Sequence, residues 1–367
     1  MSRISTPKSF ISFNASFNRN AWSDIANDLA SNTINQIAVD SNGNIYAGGA
    51  FTSVNGVTAN NVARWNGNVW SAMGSGVDGQ VLSVLVDNSD NVYVGGFFPN
   101  HLARWNGSSW VSIGTSLGNY VQCLATDRAN NIYAGGPFGV RVWNGATWTN
   151  LIPSSPFSGS IFTIYHDPDP NGEMYVGGTF SSINGVPANN IARFQETTWF
   201  PLGDISNNGV NGFVFTITKG SFNDINIGGA FINATQPNGT IVQVNNYCAW
   251  VPALNLFGRI QNGGIIGVNN DVYSIAIDLS SNITYLGGFF SQVTNVPAIG
   301  MASLQSGNVQ NIGSPFQIPV NSIVINRNNE VFACGLSVDI FKVAKYSNQT
   351  FRSTIILPLD KEYKRIN

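Results

Sequence analysis

Between Ile34 and Met73 the apolar residues fall into short runs parted by turn residues. Ile37-Ala-Val-Asp40 is closed by Ser41-Asn-Gly-Asn44, Ile45 to Phe51 forms a second run, Asn61-Val-Ala-Arg-Trp65 a third, and Val69 to Met73 a fourth. Asn66-Gly67 separates the last two and suits a two-residue hairpin, because both central residues of that turn need positive φ. The segment therefore reads as a four-stranded antiparallel meander.

The second run returns along the chain. Ile45-Tyr-Ala-Gly-Gly-Ala-Phe51 is echoed at Val92–Phe98, Ile132–Phe138, Met174–Phe180, Ile225–Phe231 and Thr284–Phe290, with a worn copy at Val331–Leu336 where Cys334 replaces the first glycine. Self-similarity at a period of roughly 40 to 60 residues marks a repeat architecture. Seven units follow, near 34–80, 81–119, 120–159, 160–211, 212–270, 271–318 and 319–356, with the outer strand of the fifth placed somewhere in Leu254 to Gln261. One small sheet leaves both faces wet, whereas several set radially bury those faces against one another. The predicted fold is thus all-β, a seven-bladed β-propeller of four-stranded antiparallel blades.

Glycine weakens a strand, so its paired return at Gly48-Gly49, Gly95-Gly96, Gly135-Gly136, Gly177-Gly178, Gly228-Gly229 and Gly287-Gly288 implies close approach by a neighbouring backbone or ring. The rings expected there come from third strands (Trp65, Trp105, Trp143, Phe194, Trp250, Tyr346) and outer strands (Trp70, Trp110, Trp148, Trp199, Phe351), packed between blades.

The N-terminus adds a complication. Ser16 to Trp22 aligns with Arg64 to Trp70, so residues 1–33 read as an extra hairpin, ahead of a propeller over 34–356 and a tail over 357–367. Val343 to Phe351 already offers two outer strands to the last blade. The N-terminal copy can displace its C-terminal equivalent, add outside a blade or pair with another molecule; displacement, which closes the ring, is the reading favoured.

With Gly48-Gly49, Trp65-Asn66 and Trp70 in view, the repeat resembles the kelch type of propeller. It is more similar to the Trp-Asn-Gly repeats of bacterial and viral surface proteins and to the propeller of fungal cell-polarity marker proteins. The resemblance covers residues 16–356 and lacks the Gly-His and Trp-Asp pairs of the Trp-Asp propeller. It implies a binding or scaffolding platform, without transferring a specific activity.

Charged residues are only 10% of the 367, and the formal net charge is −2, which argues against nucleic acid as a partner. No apolar run reaches the roughly 18 residues of a membrane helix, and Met1 to Lys8 lacks the apolar core of a secretory signal. Cys123, Cys248 and Cys334 sit in apolar runs of different repeats and read as buried thiols. Catalysis needs convergent titratable groups, but the only histidines, His101 and His166, lie in different repeats, and no catalytic residue is assigned. A kelch-type enzyme is the most remote alternative, since a copper oxidase would need two His with Tyr and a cross-linked Cys.

Asp167-Pro-Asp-Pro-Asn-Gly-Glu173 begins like a calcium loop, yet Gly178 stands where the closing Glu belongs. A plain turn, with no metal or cofactor, is expected. Asp40, Asp87, Asp127 and Asp278 end inner strands and are expected to cap the following turn. Arg64, Arg104, Arg193 and Lys345 precede the third-strand aromatic and read as structural pairing.

Loop length is more telling. Second-to-third and outer-to-inner connections share one face of a meander, and there repeats one, four, five and six carry long loops: Thr52 to Asn60, Ser181 to Asn190, Ile232 to Asn245 and Ser291 to Ile299. Rigid scaffolds put recognition on such loops. The expected function is a non-enzymatic interaction module, part of a virion or cell-surface assembly, binding a protein or glycan through Asn184, Asn233, Gln236 and Asn295. A carbohydrate-binding propeller is the alternative.

Overall fold

A computed structural model describes residues 10–26, 33–114, 117–152, 157–169, 172–259, 261–262, 265–314, 316, 319–337 and 340–358. Residues 1–9, 27–32 and 359–367 of the expected terminal segments lie outside the described residues.

Seven four-stranded antiparallel sheets stand in a ring. Blade one is typical, running Thr33–Val39, Ile45–Ala50, Val62–Trp65 and Trp70–Ala72 from the axis outward. In blade five the outer strand is Leu256–Gly258, within the range read from sequence. Inner strands of successive blades touch all the way round, including the last against the first.

The paired glycines make the ring possible chiefly by close approach of aliphatic side chains and backbone, with a ring near only Gly136 (Phe138) and Gly229 (Phe231) among the six full pairs. A Cβ on Gly48 would lie 2.4 Å from Val84 Cγ2 and 2.5 Å from Val81 Cγ1 of the next blade, and one on Gly177 would lie 2.3 Å from Val214 Cγ1. Gly95, Gly228 and Gly287 face Val121, Val272 and Val320 in the same way. Branched aliphatics of the neighbouring inner strand therefore fill the space that a side chain would take. The second glycine serves its own blade. Its Cβ position is 1.9 Å from Thr33 O at Gly49 and 1.9 Å from Ser160 O at Gly178, where the inner strand bulges towards it. Rings do lie over glycine elsewhere, at Gly74 under Trp105 and at Gly114 under Trp143 and Trp148.

The aromatics hold the rim instead. Third- and outer-strand rings are cross-strand partners within a blade, as in Trp65 with Trp70 at 5.8 Å and Trp105 with Trp110 at 5.4 Å between centroids. Each outer-strand indole then reaches one blade back. Trp110 Nε1 donates to Met73 O, Trp148 to Ile113 O, Trp199 to Leu151 O and Trp70 to Ile25 O. A Trp at this place closes a blade and ties it to the one before.

Ring closure differs from the hairpin read at Ser16 to Trp22. Phe10–Ala26 is a single strand, paired antiparallel with Ile340–Pro358 from Phe10↔Pro358 to Ala26↔Val343. It is the outermost strand of blade seven, and Trp22 donates to Ile312 O of blade six as any outer-strand Trp does. Val343 to Phe351 likewise does not turn. The physical reason is that two chain ends lie side by side, so the segments that would have been turns satisfy one another's backbone groups in one continuous ladder. Past Tyr346, which pairs with Val331 at the start of the second strand, the two strands continue alone as a ribbon on the side opposite the long loops.

Candidate binding face

The face carrying second-to-third and outer-to-inner connections is built as a rigid platform. Each long second-to-third loop folds into a short hairpin: Ser53–Val54 with Val57–Thr58, Ser182–Ile183 with Val186–Pro187, Asn233–Thr235 with Ile241–Gln243, and Gln292–Val293 with Val296–Pro297. Asn55-Gly56 and Asn184-Gly185 form tight turns, with φ of 46° and 75° in the first and 48° and 82° in the second. Each flap sinks one side chain into its blade, and Val54, Ile183, Ala234 and Val293 are all fully buried. An asparagine at the start of the third strand pins flap to inter-blade loop. Asn61 accepts from Phe51 N and donates to Val77 O; Asn190 does so with Phe180 and Val210, and Asn246 with Phe231 and Val268.

The four residues singled out from sequence land in different settings. Asn184 and Asn295 stand at flap tips, half-buried and exposed respectively. Asn233 opens the blade-five flap, its backbone N–H held by Asn211 Oδ1 at 2.8 Å. Gln236 is buried, with Oε1 accepting from Phe257 N and Nε2 donating to Phe257 O, so it ties the flap to the outer strand and presents no polar atom to a partner.

Sequence reading missed the apolar character of this platform. Ile205, Phe213, Ile232, Ile241, Phe289 and Ile299 are exposed, between 40% and 67%, on the loop face of the blade-four-to-six sector, while among the described residues only Phe97 stands out elsewhere on that face. The signal was available as Ile232, Ile241 and Ile299 inside otherwise polar loops.

The opposite face is a web of satisfied carboxylates. Asp40 Oδ1 accepts from Asn42 N and Asn44 N, and its Oδ2 from Asn44 Nδ2 and the Tyr46 hydroxyl; Asp87 and Asp127 repeat the set. At the loop that began like a calcium site, Lys219 Nζ stands 2.7 Å from both Asp167 Oδ2 and Asp169 Oδ2. Burial opposes the Lys219 charge, but these two bonds outweigh it and push the ammonium above its ordinary range. A lysine from the next blade thus occupies the place of a cation. Glu173 is paired with Arg193, and Glu330 with Lys345.

Between blades one and two the Ser41 hydroxyl and amide both donate to Asp90, holding its carboxyl below the usual carboxylate range. A depressed folded value contributes stability above the unfolded value of about 3.8, lost as pH falls through the lower folded value. Ser41→Ala should therefore lower the melting temperature slightly at neutral pH and make no difference once Asp90 is protonated. Melting curves followed from pH 7 downwards through the acid limb read this directly, and a deficit that stays constant as pH falls would exclude the carboxylate.

The three thiols are free and buried, with burial pushing Cys334 up to about 12. His166 Nδ1 lies 3.1 Å from Asp167 O at the end of its strand, and His101 sits in a turn of blade two. Among the described residues no group of three or more His, Cys, Asp or Glu is placed to hold a metal ion, and no helix is long and apolar enough to cross a membrane.

Residues 41–68 and 170–196 match the family model described as "Domain of unknown function (DUF5122) beta-propeller". Comparison with curated protein sequences gave no match. Among solved structures, the chain is similar to the WD40 propeller domain of Doa1, with TM-score 0.57, 14% identity and coverage of 92% of this chain and 98% of that one. It is similar to the extracellular domain of the two-component system BT4673 from B. thetaiotaomicron, with TM-score 0.58, 13% identity and coverage of 89% and 39%. It is also similar to PorZ, a surface component of the type-IX secretion system of Porphyromonas gingivalis, with TM-score 0.56, 13% identity and coverage of 87% and 47%. The chain spans less than half the length of the two bacterial proteins, and at these identities the likeness is one of fold: this chain is a β-propeller of a kind found both in WD40 domains and in bacterial surface proteins.

Proposed function

We propose that this propeller is a non-enzymatic docking platform that holds a protein partner on its loop face over blades four to six, within a virion or cell-surface assembly. The observation that carries this reading is that Ile205, Phe213, Ile232, Ile241, Phe289 and Ile299 are all exposed on one sector of one face, at strand ends, hairpins and connections that are hydrogen-bonded into place. Apolar side chains presented on a pre-ordered frame lose little entropy on binding, the property that favours tight association. The absence of catalysis is supported by how the titratable groups are used: turn-face aspartates cap turns, and Lys219 neutralises Asp167 and Asp169. The surface setting leans on the likeness in fold to the BT4673 extracellular domain and to PorZ, a bacterial surface component.

The test is a triple variant, Ile232→Asp, Ile241→Asp and Ile299→Asp, against a turn-face control, Phe222→Asp and Leu279→Asp. All five positions are exposed, so both proteins should melt within a few degrees of the parent. Cross-linking mass spectrometry on the native assembly should place the partner's contacts on residues 181–190, 232–245 and 291–300, and the triple variant should lose them while the control keeps them. Contacts confined to the turn face would overturn the reading.

A further inference from the structure

Within the ring most inner-strand positions repeat their chemistry from blade to blade. Residues 34, 81, 121, 161, 214, 272 and 320 are all Val or Ile and fully buried. Just after them comes a position that bulges in six blades and immediately precedes the inner strand in blade three, and its occupant lines the central channel. Here the repeat breaks. The occupants are Asn35, Leu82, Gln122, Phe162, Phe215, Tyr273 and Asn321, so blades four, five and six supply aromatics while blades seven, one and three supply amides. The rings form one wall, with Phe162 and Phe215 at 5.8 Å and Phe215 and Tyr273 at 5.4 Å between centroids, and Phe213 above them at the mouth. Across from it, Asn35 Nδ2 donates to Val81 O and Asn321 Nδ2 to Ile34 O, which fixes both amides. Their oxygens, and the whole Gln122 amide, have no hydrogen-bond partner among the described residues.

The cavity between these walls measures about 460 Å³, within the range of small-ligand sites. Among the described residues no Asp, Glu, Lys, Arg or His lines it, although the Tyr273 hydroxyl turns to the Asp271 carboxylate at 3.4 Å. A charged ligand would lose its hydration there without a counter-charge, and a wholly apolar one would leave the amide wall unpaired. What satisfies both walls is a neutral ligand with one flat C–H face and a polar edge, its C–H bonds over the negative faces of the rings and its hydroxyls on the amides. We infer that the loop-face half of the channel is a binding site for a neutral pyranose, a mono- or disaccharide. This site adjoins the exposed apolar residues at Phe213, but the residues that line the channel are not among those that carry the docking face, so each can be tested without the other.

Saturation-transfer NMR on the whole chain tests it, using the methyl glycosides of glucose, galactose, mannose and N-acetylglucosamine, with sialic acid and tetramethylammonium as charged probes. At least one neutral glycoside should bind and the charged probes should not. Tyr273→Leu, which removes a half-buried ring, and Gln122→Leu, which keeps bulk and removes the amide, should each weaken binding about tenfold in protein that still melts as one cooperative unit. Ile232→Asp should leave sugar binding unchanged even where it abolishes partner docking. Absence of binding by all four glycosides, preference for tetramethylammonium, or affinity unaltered by both channel substitutions would each overturn the assignment.

Discussion

Removing residues 1–26 is expected to abolish cooperative folding of the whole ring. The deletion takes away the outermost strand of blade seven, and with it the ladder from Trp22↔Tyr346 to Ala26↔Val343. It also removes the Trp22 ring, which lies 5.1 Å from Tyr346 and 6.0 Å from Phe316, and the acceptor for Trp70 at Ile25 O. Trp22 is half-buried, so loss of its ring costs at most about 3 kcal/mol, and each indole hydrogen bond about 1 kcal/mol more. Domains of this kind have only about 5 to 15 kcal/mol in total. The exposed edge of Ile340–Pro358 would also be a template for aggregation. Urea unfolding and size-exclusion chromatography of the truncated chain should show a broad transition and multimers. A milder variant, Trp22→Ala, should remain a monomer destabilised by about 2 to 3 kcal/mol, below the cost of a fully buried ring. A truncated chain that melts like the parent would mean that the N-terminal strand is not structural.

The second large effect concerns the paired glycines, which should fail in two distinguishable ways. Gly177→Ala pushes a methyl to 2.3 Å from Val214 Cγ1 of the next blade, an overpacking cost of about 1 to 3 kcal/mol. Gly178→Ala meets the Ser160 carbonyl at 1.9 Å, backbone that has no room to yield, and should cost more. Trimming Val214 to Ala should recover part of the first loss and none of the second. Denaturant melts of the two double-mutant cycles measure this as a coupling energy, about 0.5 to 3 kcal/mol for 177 with 214 and none for 178 with 214. Additive behaviour in both cycles would contradict blade-to-blade contact at the first glycine.

Much of the fold was legible because the forces that specify a blade are local. Alternating runs, Asn-Gly turns and capping aspartates recur often enough that seven sheets can be counted from the sequence alone. The long loops could also be counted, and they became the flaps. What a repeat cannot display is the relation between its copies. Gly48 gives no hint that its neighbour is Val81 of the next blade instead of a ring, because an aromatic and a branched aliphatic both explain a missing side chain. Closure by Phe10–Ala26 was hidden for the same reason, since the segment looks like a hairpin until its partner 320 residues away is known.

The candidate site was legible only as a face. Gln236 looked like a polar loop residue and proved to be a buried tie between flap and outer strand, because its two bonds go to the backbone of Phe257, distant in sequence. Asp167 and Asp169 looked like the start of a cation loop, and the cation was Lys219, one blade on. The segregation of rings and amides in the channel depends on which inner-strand residue bulges, and a bulge leaves no mark in composition.

The most direct measurement is a disulfide across the proposed seam. Ser23 and Lys345 are directly opposite in the closing pair, 322 residues apart in the chain, and the native cysteines are buried away from them. With Ser23→Cys and Lys345→Cys in the folded protein, mild oxidation should form an intramolecular bond in nearly every molecule. Closing so long a loop contributes up to about 6 kcal/mol by loop entropy, less the loss of the Lys345–Glu330 pair, so the oxidised variant should be more stable than its own reduced form by several kcal/mol. Thiols that stay reduced under native conditions, or that link only one molecule to another, would contradict a ring closed by its own N-terminal strand.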